Sequence, residues 1–359
     1  MTLSVDEKLD LIKQVGEEIV EEEELINLLK SKKNIVAYDG FEPSGKIHIA
    51  QGLLKAININ KMTSAGIKFK MLVADWHAWA NNKMGGDLEK IQVVGEYFIE
   101  VWKASGLDLK NVEFVWASEL LNNREYWKTV LQIARNTTVK RILRCGQIMG
   151  RKEGEVQQAS QIIYPCMQAA DIFHLKADIC QLAMHQRKVN VLAREIGEKI
   201  GFYKPVIVSH HMLMGLLPPK SNFSGAEKTI EQKMSKSNPA SSIFMTDSSE
   251  EIESKFRKAY CPEGEIKDNP VLEYFKYIIF EKISEVVIER SSKFGGDVIF
   301  KKYSDMEKSF KKKEVHPLDL KKSAAKYINN LLEPVRKHFK ENKRANDLLK
   351  KVESFEITR

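Results

Sequence analysis

Tyr38-Asp39-Gly40-Phe41-Glu42-Pro43-Ser44-Gly45-Lys46-Ile47-His48-Ile49-Ala50-Gln51 is the stretch on which the reading of this chain turns. The apolar run Ile35–Tyr38 leading into it has the length and composition of a buried strand. Gly40, Pro43 and Gly45 then allow a tight turn and a close backbone approach. A helix is expected from about His48, and its first N–H groups would suit a phosphate. An imidazole there could donate a hydrogen bond to a phosphate oxygen without carrying a fixed charge. Many strand–turn–helix units contain Gly, Pro and His, so this segment alone leaves a purely structural role open.

Outward from this point, short β-like runs alternate with longer helical ones. Phe69–Ala74, Val112–Trp116, Ile179–Leu182 and Val206–Val208 read as strands, and Ile49–Met62, Leu88–Ala104 and Tyr126–Arg144 as helices. Apolar strands alternating with helices predict an α/β fold with a Rossmann-like parallel sheet covered on both faces. Ligands of such sheets bind beyond the carboxyl ends of the strands, where strand order reverses. Before the sheet, residues 5–31 read as two short amphipathic helices, with the Glu21–Glu24 run facing solvent. After about Asp247 the pattern turns helical, over Ser249–Ala259, Pro270–Phe280, Ser304–Lys311 and Leu318–Phe339, with little strand signal. The expected division is a nucleotide-fold domain over 1–245, with a polar loop at 221–240, and a mainly helical domain over 246–359.

Composition narrows the function classes. The 359 residues are 43% apolar and 30% charged, as in an ordinary folded protein. No apolar run approaches the roughly 20 residues of a membrane span, so no membrane partner is expected. The acidic start (Asp6, Glu7, Asp10) does not read as a secretion signal. Cys145, Cys166, Cys180 and Cys261 are scattered without a CxxC pair, which suits reduced thiols in a cytoplasm and no protein-built metal site. The net charge of +8 is localised: residues 301–359 hold 17 Lys/Arg against 9 Asp/Glu, leaving 40 of each in the first 300. A basic tail on a neutral body suits a polyanionic partner, or equally a solvated helical surface.

Two further segments carry chemistry. Lys233-Met234-Ser235-Lys236-Ser237 puts two lysines and two hydroxyls in five residues, able to counter charge on a departing pyrophosphate. Tyr164-Pro165-Cys166-Met167-Gln168-Ala169-Ala170-Asp171 reads as a helix with Pro165 in its first turn. Tyr164, Gln168 and Asp171, spaced i, i+4, i+7, share one of its faces. Such a polar stripe serves either a binding site or water.

The KMSKS wording at 233–237, paired with an HxGH-like motif after the first strand, resembles the class I aminoacyl-tRNA synthetases. The YPxMQxxD wording at 164–171 resembles the tyrosine-binding helix of tyrosyl-tRNA synthetases of the archaeal and eukaryotic type. The likeness runs from about Tyr38 to Leu332. It includes Ala74-Asp75-Trp76-His77-Ala78, Thr137-Thr138-Val139-Lys140-Arg141, Ala259-Tyr260-Cys261-Pro262, Lys293-Phe294-Gly295-Gly296-Asp297 and His316-Pro317-Leu318-Asp319. It implies activation of L-tyrosine by ATP, with Mg2+ arriving on ATP, and transfer of the tyrosyl group to tRNA(Tyr). No other cofactor is implied.

By the same resemblance, Tyr38 and Asp171 would bind the substrate's phenol hydroxyl, and Tyr164, Gln168 and Gln186 its α-amino group. Gly40, Glu42, Gly45, His48, Lys233, Met234, Ser235 and Lys236 would hold ATP, with His48, Lys233 and Lys236 catalytic. Arg144, Arg187 and Lys188 would lie near the acceptor stem, and Phe294, His316 and Asp319 near the anticodon. His316-Pro317 could instead simply start a helix. A homodimer is implied through an inserted segment at about 105–160, where Ile133, Leu143, Ile148 and Met149 could be interface or core.

Two departures stand out. His48-Ile49-Ala50-Gln51 lacks the usual Gly and second His, and Ala183 and His185 stand where many members have a glycine and an acidic residue. Tryptophanyl-tRNA synthetase shares both ATP motifs, but indole is only a donor, so the Tyr38/Asp171 pair argues for tyrosine. A catalytically silent RNA-binding protein on the same scaffold is the rival from another class, kept open by the altered His48–Gln51 motif.

Overall fold

The computed structural model describes residues 3–146, 158–218, 234 and 239–355. The chain divides into two compact units, one from residues 1–45, 58–212 and 350–359, the other from 46–57 and 213–349.

The first unit carries six strands: β1 (Glu18–Val20), β2 (Val36–Phe41), β3 (Lys68–Val73), β4 (Val112–Trp116), β5 (Ile179–Cys180) and β6 (Val206–Ser209). They lie in the order β1-β6-β5-β2-β3-β4, all parallel except β1, which runs antiparallel to β6. Each expected strand falls on an observed one. Only β1 escapes the sequence, because three residues are too few to show a period. The helices here are α1 (Val5–Lys13), α2 (Glu22–Ser31), α3 (Leu53–Ser64), α4 (Asp75–Ala80), α5 (Leu88–Ala104), α6 (Ala117–Leu121), α7 (Arg124–Arg135), α8 (Val139–Cys145), α9 (Ala159–His174) and α10 (Arg187–Gly197).

Strand order reverses at β2. The chain steps from β2 through β3 to β4 on one side, and β5 and β6 fill the other. Tyr38 on β2 lies in register with Cys180 on β5, so the expected crevice opens beyond these two strands.

Several local expectations need correction. The helix after β2 begins at Leu53, not His48. Ile49 N–H is donated to the Ile243 carbonyl at 2.8 Å and Met245 N–H to the Ile47 carbonyl at 3.0 Å, which holds His48 in an antiparallel bridge with Phe244. That ladder uses the Ile49 N–H, one of those expected to face a phosphate. Gly40 lies inside β2 and not in a turn; Gly45, at φ +96°, is the turn residue. Pro165 sits in the interior of α9, whose start is fixed by a capping box between Gln158 and Gln161. The expected helix Tyr126–Arg144 is two helices, because the Thr138 hydroxyl accepts the Arg141 N–H and caps α8 afresh. Glu24 leaves the acidic run to pair with Lys204 at 2.6 Å and Arg194 at 2.8 Å.

The second unit is mainly helical, with α11 (Ser249–Lys258), α12 (Pro270–Tyr274), α13 (Tyr303–Lys311), α14 (Pro317–Glu341) and α15 (Lys343–Ser354), the last of these up to Leu349. A capping box on Ser248 starts α11, and Asn269 with Pro270 starts α12. An antiparallel pair, β7 (Val286–Ile288) with β8 (Val298–Phe300), is the strand content the sequence did not announce. Among the described residues no helix is long and apolar enough to cross a membrane.

Close packing behind β5 and β6 depends on one glycine at the end of α10. A Cβ on Gly197 would lie 2.3 Å from the Tyr203 carbonyl oxygen, a backbone atom that cannot swing away. Gly197→Ala is expected to destabilise the fold by about 1–3 kcal/mol, the usual cost of overpacking, read as a lowered urea midpoint at unchanged slope.

Candidate active site

The residues assigned to tyrosine gather in the first unit around the ends of β2 and β5. Tyr38 and Asp171 are each 1% exposed. Tyr164 and Gln168, two turns and one turn before Asp171 on α9, are buried with it. Gln186 follows β5 in a short 3-10 turn, and its side-chain oxygen accepts from Gln168 Nε2 at 3.0 Å. The amide of Gln186 reaches on to His185 Nε2 at 2.9 Å. An amide nitrogen only donates, so this ring nitrogen accepts.

Asp171 is more tightly held than its sequence suggested. Tyr126, from α7, donates its hydroxyl to Asp171 Oδ1 at 2.7 Å and lies 3.0 Å from the Met167 carbonyl. His77, from α4, brings Nε2 to 2.9 Å from Oδ2, a close pairing without the alignment of a hydrogen bond. Asp75, fully buried, accepts from Gln92 Nε2 at 3.1 Å and from Ser118 N–H at 2.9 Å, which anchors α4 and so places His77. Sequence reasoning gave neither Tyr126 nor His77 a role. His77 lay in a segment already noted for its family likeness, whereas Tyr126 follows a helix cap and carries no local signal.

Electrostatics follow from burial. Burial pushes the phenols of Tyr38, Tyr126 and Tyr164 well above their ordinary range, and the Asp171 charge adds to each shift. For Tyr38, Cys180 and Asp39 also add, while the Gln168 amide offsets part. The Tyr38 hydroxyl is buried yet makes no aligned hydrogen bond among the described residues. Such orphaned groups cost roughly 1–3 kcal/mol, so they are uncommon outside sites that receive a ligand. For His77, burial alone would lower the pKa; the Asp171 carboxylate, with Glu42 and Asp75, outweighs it and leaves the value raised.

The remaining assigned residues are distributed as follows. Glu42, just past β2, binds Asn81 Nδ2 through both oxygens at 3.0 and 3.2 Å, lies 3.7 Å from Lys83, and adds to the shift of Tyr164. Arg187, opening α10, is paired with Glu18 at 2.5 Å, and Lys188 beside it is half-buried. Arg144 is exposed on α8. His48 belongs to the second unit, as do Met234, Phe294, His316 and Asp319. Met234 is buried, with its sulfur 3.9 Å from the Tyr274 hydroxyl. Phe294 is 65% exposed beside the left-handed Gly295 and Gly296. His316 caps α14, its Nδ1 accepting the Leu318 N–H at 3.2 Å, with Asp319 in the first turn. The helix-start role of His316 is therefore real, and the neutral ring carries its proton on exposed Nε2. Lys233, Ser235 and Lys236 lie outside the described residues. All four cysteines are buried free thiols, and among the described residues no cluster of three or more His, Cys, Asp or Glu is placed to hold a metal.

Sheet order, buried carboxylate and polar helix face together define an α/β nucleotide fold with a buried polar cluster at its switch point. Residues 30–333 match the family described as tRNA synthetases class I (W and Y), and the chain belongs to that family. A cytoplasmic tyrosine–tRNA ligase of Arabidopsis thaliana is 51% identical over the whole of this chain and 91% of its own length. A Pyrococcus horikoshii tyrosyl-tRNA synthetase complexed with L-tyrosine superposes with a TM-score of 0.90 at 40% identity, over 97% of this chain and 100% of that one. A Leishmania major tyrosyl-tRNA synthetase in complex with tyrosinol gives 0.89 at 45% identity; this chain is covered to 99% and spans 53% of that longer one. Within the family, the chain groups with the tyrosyl-tRNA synthetases of archaeal and eukaryotic type.

A raised His77 pKa means that the folded state holds this proton more tightly than the unfolded chain does. The resulting stabilisation is complete below about pH 6.5 and is lost as pH rises through the raised value. Between pH 6 and 9, the stability difference between the native chain and a His77→Asn variant is expected to shrink with rising pH, read from urea midpoints. A constant difference across that range would refute the paired, protonated imidazole.

Proposed function

We propose that this chain activates L-tyrosine with ATP and transfers the tyrosyl group to tRNA(Tyr). The supporting observation is the buried Tyr38 hydroxyl, without an aligned partner, beside the buried Asp171 carboxylate at the switch point of the sheet. A phenol hydroxyl both donates and accepts, so it can give its proton to Asp171 while accepting from Tyr38. Phenylalanine would leave the Tyr38 hydroxyl without a partner and would offer nothing to the remaining acceptor sites of Asp171. Discrimination of this kind in tyrosyl-tRNA synthetase is a standard example of hydroxyl recognition, at ~10⁵ without editing. Tyr164, Gln168 and Gln186 receive the α-ammonium group.

In the first step a tyrosine carboxylate oxygen attacks the α-phosphorus of ATP, the bond to the bridging oxygen breaks, and pyrophosphate leaves. In the second, a 3′-terminal ribose hydroxyl of the tRNA attacks the tyrosyl carbonyl, and AMP leaves. No covalent bond to the enzyme is needed; positioning and charge stabilisation do the catalysis. ATP enters as its magnesium complex, and the family resemblance assigns Gly40, Glu42, Gly45, Met234 and Ser235 to its binding. His48 supports the phosphate undergoing attack, and Lys233 and Lys236 neutralise the departing pyrophosphate.

Transfer RNA contacts fall to Arg144, Arg187 and Lys188 for the acceptor stem. Phe294 stacks on an anticodon base, and His316, through its Nε2–H, and Asp319 read a base edge. Catalysis is assigned to residues 1–245 and anticodon binding to 246–359. The active form is a homodimer in the cytoplasm. Exposed Trp127 and Leu131 on α7, Val139 and Leu143 on α8, and Ile163 on α9 support a pairing surface. Ile133, which the sequence left as interface or core, is fully buried, and Ile148 and Met149 lie outside the described residues.

Exchange of labelled pyrophosphate into ATP is expected with tyrosine and not with tryptophan or phenylalanine at equal concentration. Exchange with no amino acid, alongside retained tRNA binding, would favour the silent-scaffold reading. Replacing Lys233 and Lys236 together with Ala is expected to slow adenylate formation at least a hundredfold (each charged contact contributing roughly 1.5–3 kcal/mol) while tyrosine affinity stays within a few-fold. Unchanged exchange in that double variant removes the role given to the lysines.

A further inference from the structure

Two side chains meet the Asp171 carboxylate, Tyr126 as a hydrogen-bond donor to Oδ1 and His77 as a close charge partner of Oδ2. Tyr126 comes from α7 and His77 from α4, while Asp171 itself sits on α9. The Tyr126 hydroxyl has one proton and two acceptors in reach, Asp171 Oδ1 at 2.7 Å and the Met167 carbonyl at 3.0 Å. The shorter contact, to the charged acceptor, takes the proton. Tyr126 is itself fixed. Its ring meets His174 edge-on at 5.2 Å between centroids, and Thr129, one turn further along α7, holds His174 Nε2 at 3.0 Å.

A carboxylate has about four acceptor sites, two on each oxygen. With Tyr126 bonded to Oδ1 and His77 paired with Oδ2, turning the plane of the group would break the Tyr126 bond, so its remaining lone pairs keep a set direction. We propose that Tyr126 is a positioning residue for amino-acid selection: by fixing the Asp171 carboxylate, its hydroxyl presets the acceptor that tells a para-hydroxylated side chain from an unsubstituted ring. The proposal rests on the assignment of Asp171 to the substrate hydroxyl. It assigns to Tyr126 no contact with substrate and no part in the chemistry, so its effect falls on recognition and not on turnover.

The test is Tyr126→Phe, which removes one oxygen and keeps the ring. Pyrophosphate exchange is measured with tyrosine and with phenylalanine, and folding is read separately by urea titration. Loss of a hydrogen bond to a charged group predicts a rise of about tenfold or more in KM for tyrosine. The kcat for tyrosine should stay within about twofold of the native value by the same argument. Phenylalanine has no hydroxyl to misplace, so its kcat/KM stays unchanged and the tyrosine-to-phenylalanine ratio falls with the tyrosine value.

Val130→Ala, a cavity in the same helix at a side chain that is also buried, serves as the control, expected to lower stability and leave the ratio alone. An unchanged ratio in Tyr126→Phe overturns the proposal, as does a parallel loss for both amino acids. Failure of Tyr126→Phe to fold also overturns it, because the hydroxyl would then be structural. Native protein that exchanges with no amino acid would instead bring down the activity assignment, and this proposal with it.

Discussion

Burying a carboxylate costs several kcal/mol unless partners replace the water it loses. Asp171 is such a group, and its partners come from elements far apart in the chain. Tyr126 lies 45 positions away on α7, and His77 arrives from α4, itself anchored by Asp75 to α5 and α6. The charge is tolerable only when these helices pack around it together. On the proposed assignment the same arrangement would offer an acceptor to a para-hydroxyl group, so stability and selectivity would draw on one set of contacts.

The sheet supplies the frame for this cluster. Because β2 pairs with β3 on one side and β5 on the other, the loops leaving β2 and β5 diverge and open a crevice. Tyr38 and Cys180 lie in register on the two strands, Glu42 leaves on one loop and Gln186 on the other, and α9 carries Tyr164, Gln168 and Asp171. Polar groups here form short connected runs, as in Gln168–Gln186–His185 and Glu42–Asn81. His185 is thereby tied to the glutamines assigned to the substrate's ammonium.

In the second unit, charge and capping bear on the assigned residues. The lysine-rich end of the chain explains the net charge of +8. Phe294 is held outward on a turn that two left-handed glycines make possible, and His316 spends one ring nitrogen on capping α14. A residue that structure already uses can still present its other edge, so a structural role for His316 does not compete with a binding role.

The sequence by itself determined the alternation of strands and helices, the glycine turn at Gly45, the capped starts of α11 and α14, and the polar face of α9. These are local matters, set by period, turn chemistry and capping over a few residues. Only the tertiary structure decided that His48 joins a ladder with Phe244, that the predicted Tyr126–Arg144 helix breaks at Thr138, and that Tyr126 and His77 hold Asp171. Which groups meet a buried charge depends on which helices pack together, and that is fixed by contacts between distant segments that no local pattern encodes.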